Sequence, residues 1–76
     1  MNNIRRKQLK AILAQLEDLK AELESIKDEE DEARDNIPES LWGTERYEKA
    51  EEACDNLDEA CSNLDDVLEY IENAME

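Results

Sequence analysis

Histidine and phenylalanine are absent from this chain, and glycine and proline occur once each. Aromatic residues fill only 4% of its 76 positions. A sheet protein needs turn residues and β-branched or aromatic side chains in quantity, so a β fold is excluded. The missing histidine removes the usual general base at neutral pH and the usual zinc ligand. No apolar run is long enough to span a bilayer, and the polar, basic first residues do not read as a signal peptide. Glycine-rich phosphate loops are lacking, as is an EF-hand pattern with its obligatory glycine. Neither an enzyme, a cofactor nor a specific metal site is expected.

Charge is what the chain has in abundance. Charged residues make up 42% of it, and 23 acids against nine bases leave a net charge of −14. The bases cluster early, at Arg5, Arg6, Lys7 and Lys10. From Glu51 onward there are only acids: Glu51, Glu52, Asp55, Asp58, Glu59, Asp65, Asp66, Glu69, Glu72 and Glu76. Such a surface repels nucleic acid and anionic membrane, both polyanions, and attracts basic proteins or cations. Direct nucleic-acid binding and membrane binding are therefore not expected. A solvated face that keeps a small helical protein soluble explains the same acids without any partner.

Apolar spacing predicts two long helices. In the first, Leu9, Ile12, Leu16, Leu19, Leu23 and Ile26 alternate steps of three and four, a heptad with Leu9 at a and Ile12 at d. In the second, Tyr47, Cys54, Cys61, Leu68 and Met75 fall at a, and Ala50, Leu57, Leu64 and Ile71 at d. Ala53, Ala60, Val67 and Ala74 add a third column, g, making the apolar stripe wider than one two-stranded seam requires.

Pro38 disfavours helical geometry at Ile37, Gly43 permits a tight path, and Thr44 is a fitting N-cap with Glu45 behind it. The expected fold is all-α, a single domain over 1–76: helix 1 over about 3–35, a turn over about 36–43 and helix 2 over about 44–75. Together they make an antiparallel helical hairpin of coiled-coil type. Antiparallel pairing sets e beside e, where Lys20, Lys27 and Arg34 would meet Glu51, Asp58, Asp65 and Glu72. Exposed pairs of this kind orient helices more than they stabilise them.

Two helices cover each apolar stripe on one side only, and chains of this size usually need a staple or a partner. A homodimer forming a four-helix bundle is expected, with Ala53, Cys54, Ala60, Cys61, Val67, Leu68 and Ala74 as packing residues. On helix 1 the second contact surface is expected at Ala11, Leu13, Ala14 and Ala21. Cys54 and Cys61 stand roughly 10 Å apart along a helix, too far for a disulfide between them. Two cysteines in one helix suit a reducing, cytoplasmic setting, where they serve as small apolar residues. Trp42 in the turn either anchors a partner or folds back over the end of the hairpin. Tyr70, at an outward c position, is a further candidate for partner contact.

The acids give the sharper functional expectation. Glu51, Asp58, Asp65 and Glu72, beside Glu52, Glu59 and Asp66, draw two rows of carboxylates along roughly 30 Å of helix. With Asp55, Glu69 and Tyr70 they form a candidate face for a basic nucleic-acid-binding protein, whose groove they would fill as a nucleic-acid mimic. The other expectation is a structural, self-associating bundle with no charge-driven partner.

The stretch Asp35-Asn36-Ile37-Pro38-Glu39-Ser40-Leu41, then Gly43-Thr44-Glu45-Arg46-Tyr47-Glu48, leads into Ala/Leu/Asp/Glu heptads. It resembles a recurring group of small, acidic, uncharacterised helical-hairpin proteins of clostridia-type gut bacteria and their phages and mobile elements. The resemblance implies a bacterial cytoplasm or a mobile element as the setting, and favours an inhibitor. It carries over no catalytic or binding residue.

Overall fold

The computed structural model describes all residues, 1–76. Helix α1 runs Asn3–Asp35 and helix α2 runs Glu45–Ala74, joined by a turn that includes a short 3-10 segment, Glu39–Leu41. The two helices pack antiparallel into a rod of 59 × 15 × 13 Å.

The helix ends follow from local chemistry. The Asn2 side chain accepts a hydrogen bond from the Arg5 N–H at 2.8 Å and starts α1. Pro38 and the extended backbone beside it stop α1. Gly43 takes the left-handed region at φ +86°, the one such residue in the chain. Thr44 then caps α2, its hydroxyl accepting from the Tyr47 N–H at 3.4 Å and donating to the Leu41 carbonyl at 2.6 Å. Glu45 and Glu48 lie in the first turn, where carboxylates suit the helix dipole. The last turn of α2 has no base of its own. Arg6 supplies one from α1, its Nε donating to the Met75 carbonyl at 3.0 Å. The basic start of α1 and the acidic end of α2 thus meet through a backbone carbonyl that Arg6 caps.

Helix α2 turns the expected columns inward. Cys54 and Cys61 are buried, and Tyr47, Ala50, Leu57, Leu64, Leu68, Ile71 and Met75 are half-buried. Helix α1 departs from its expected seam. Its d column is outside: Ile12 is 44% exposed, Leu19 58% and Ile26 55%. In its place the e column lies inward, with Leu13 buried and Arg6, Lys20, Lys27 and Arg34 half-buried beside Leu9, Leu16 and Leu23. So the seam of α1 is a and e rather than a and d, and Leu13 belongs to it rather than to an outer surface. The physical reason lies in the side chains. Lysine and arginine stems cover apolar surface while their heads reach water and opposite charge, which lets the e column sit at the seam. The small Ala50, Cys54 and Cys61 opposite leave room for those stems.

The core is correspondingly thin. Only Leu13, Ile37, Cys54 and Cys61 are buried, and none completely, so the chain has a seam rather than an interior.

Candidate functional site

Two long sides of the rod differ in chemistry, and the ion pairs fix which is which. Lys20 pairs with Asp65, and Lys27 lies 3.8 Å from Asp58, both between e columns as expected. Within α1, Lys20 also reaches Glu24 at 3.3 Å and Lys27 reaches Asp31 at 3.0 Å. The Asp65 hydrogen bond holds the Lys20 ammonium above its ordinary range, and the Asp31 bond does the same for Lys27. In return Lys27 holds the Asp31 carboxyl below its ordinary range. Further along, the expected pairing fails: Arg34 turns to Asp35, its own neighbour, at 3.3 Å instead of crossing to Glu51. Glu72 has no cation opposite, because its α1 counterpart in the e column is Leu13.

The same register ranks the carboxylates of α2. Asp58 and Asp65 are tied to α1, whereas Glu51, Glu52, Asp55, Glu59, Asp66, Glu69 and Glu72 have no ion-pair partner. All ten acids from Glu51 onward fall in columns b, e and f. Columns c and g carry none: they read Lys49, Asn56, Asn63, Tyr70 and Arg46, Ala53, Ala60, Val67, Ala74. Tyr70 is exposed where this acid-free strip borders the acidic columns.

The cysteines are free, and both are buried in the seam. Burial, and after it a hydrogen bond to Asp31, pushes the Cys54 thiol above its usual range, which keeps it protonated and unreactive. No three carboxylates or thiols converge as a metal site would require. No helix is long and apolar enough to cross a membrane.

Trp42 folds back. Its ring stacks on Tyr47 with centroids 5.5 Å apart, and its Nε1–H donates to the Ile37 carbonyl at 3.1 Å. Half of its surface stays open to solvent. Among the expected packing residues, Cys54 and Cys61 are buried and Ala53, Ala60 and Leu68 half-buried, while Val67 and Ala74 are exposed.

Sequence reasoning missed the exposed stripe of Ile12, Leu19 and Ile26. The signal lay in the width of the apolar arc on α1: columns d, a and part of e exceed what one partner helix can cover. No family model, curated protein or solved structure matches this chain.

Proposed function

We propose that the chain is a non-catalytic protein-binding module that engages a basic partner through the acidic outer face of α2. One observation carries the reading. The carboxylates of α2 are confined to three adjacent columns, and most of them lack a cation of their own. A rigid helix presenting free charge at a regular repeat has the form of a polyanion backbone, which a nucleic-acid-binding groove would accept. The resemblance of the turn segment to small acidic proteins of phages and mobile elements supports an inhibitor of such a groove. The burial that keeps the Cys54 thiol protonated supports a role without catalysis.

The test reverses column f, which is free of the seam: Glu52→Lys, Glu59→Lys and Asp66→Lys together. The native chain, immobilised, should retain a basic nucleic-acid-binding protein that salt releases and duplex DNA or RNA competes away. The triple variant should stay helical and lose that retention. Retention that survives both salt and charge reversal would sink the reading.

A second reading is favoured by a different observation, the exposed apolar stripe on α1. In it the chain is a self-associating bundle, two hairpins forming four helices, and its acids serve solubility alone.

A further inference from the structure

The ion pairs Lys20 with Asp65 and Lys27 with Asp58 close one long side of the hairpin. On the other long side the exposed column d of α1 meets column g of α2, where Val67 and Ala74 are exposed and Ala53 and Ala60 half-buried. On antiparallel helices, column d of α1 and column g of α2 both lie away from the e-to-e side. At the turn end Ala33 of column d and Arg46 of column g line one shallow groove, together with Glu30, Arg34 and Lys49. The register set by the two ion pairs brings Ile12 level with Ala74, Leu19 with Val67, Ile26 with Ala60 and Ala33 with Ala53. A continuous apolar strip results, bulky on α1 and small on α2.

We infer that this strip is the docking surface for a second copy of the chain. The inference rests on the self-association reading and assigns it a face, which differs from the face expected at Ala11, Ala14 and Ala21. Shape supports a second copy, because a two-fold axis along the rod sets the bulky column of each α1 against the small column of the other α2. Charge supports it too. Two chains of net charge −14 repel wherever carboxylates meet. Columns c and g of α2 carry none, and they hold Arg46 and Lys49 at the turn end.

Area supports it as well. The rod exposes 5796 Å², against roughly 4,800 Å² for a compact monomer of this mass. From Ile12 to Ala33 the strip is about 30 Å long, and two helices side by side are about 20 Å wide. Docking would cover about 600 Å² on each copy, or about 1,200 Å² in all, the lower bound for a stable specific interface.

The test is sedimentation equilibrium of the full chain across a concentration series, with far-UV circular dichroism on every variant. The native chain should be a dimer. Leu19→Lys should sediment as a monomer, and the milder, helix-favouring Leu19→Ala should weaken association at least tenfold, which keeps the test open if Leu19→Lys unfolds. Ala21→Lys, on the far side of α1, should leave the dimer unchanged, as should the triple reversal of column f. A native chain that is monomeric throughout would overturn both the inference and the self-association reading. A native dimer that ignores Leu19→Ala and separates with Ala21→Lys would overturn the inference and leave that reading standing.

Discussion

The two helices treat the same heptad differently. Helix α2 brings its a and d columns inward and keeps every acid from Glu51 onward in columns b, e and f. Helix α1 has the stronger apolar d column, Ile12, Leu19 and Ile26, yet leaves it in solvent and brings long cationic stems to the seam. The difference teaches that an apolar arc three columns wide leaves open which two columns face the first neighbour. Here the e column faces α2: its lysine stems cover the seam while their heads reach Asp65 and Asp58.

The largest effect that could break this comparison comes from Leu13 and Ile12, adjacent residues with opposite surroundings. Leu13 is 8% exposed. Leu13→Ala is expected to cost about 2–3 kcal/mol in urea denaturation. Ile12→Ala should cost less than about 1 kcal/mol at concentrations too low for association. The reverse order would restore a and d as the seam of α1.

A smaller effect comes from the joint that holds the helices in register. Gly43 sits at φ +86° with nothing within 4 Å of where a Cβ would stand. Gly43→Ala should therefore cost about 1–2 kcal/mol from backbone conformation alone. A loss well above that, read in the same urea titration, would mean that the turn packs more tightly than its open surroundings indicate.

The smallest effect concerns pH and sharpens the role of the lysines. Lys20 and Lys27 are held above their ordinary value of 10.5 in the folded chain. Their contribution is fully present below 10.5 and is lost as pH rises through the raised values. Asp31, held below 3.8, contributes above 3.8 and loses that contribution as pH falls through its lowered value. Thermal melts should therefore decline at the alkaline end. Replacing Lys20 and Lys27 by Met should remove part of that decline. The rest belongs to Cys54 and Tyr47: burial, followed by Asp31, pushes up the thiol, and burial, followed by Glu51, pushes up the phenol. Variants whose alkaline decline matches the native chain would show that the lysines do not tie α1 to α2.

Much of the fold was legible because its signals are local. Pro38, Gly43 and Thr44 mark the turn within a few residues, and the heptad of α2 reads directly as its seam. The central e-to-e pairs followed from antiparallel pairing alone. What was not legible depended on reach. A lysine counts as polar in a periodicity, but its stem behaves as apolar, so Lys20 and Lys27 looked like rim residues when they are seam residues. Arg34 was misread for a related reason: a nearer acceptor, Asp35, wins over the carboxylate that the register offers. Of the acidic face, the sequence located every carboxylate. Which of them are already neutralised needed the register.

The single turn also governs how the chain folds. Every pairing of α1 with α2 closes a loop, and the loops grow from the Ile37–Trp42–Tyr47 cluster toward Arg6 and Met75 at the far end. Closure entropy rises with loop length, so the cheapest first contact lies at the turn and the seam zips outward from it. Substitutions near Ile37 should then slow folding, while those near Leu9 or Leu68 should speed unfolding and leave the folding rate almost unchanged. A rod stitched from one end has a time order along its length, and the two termini are the last to be fastened and the first to come apart.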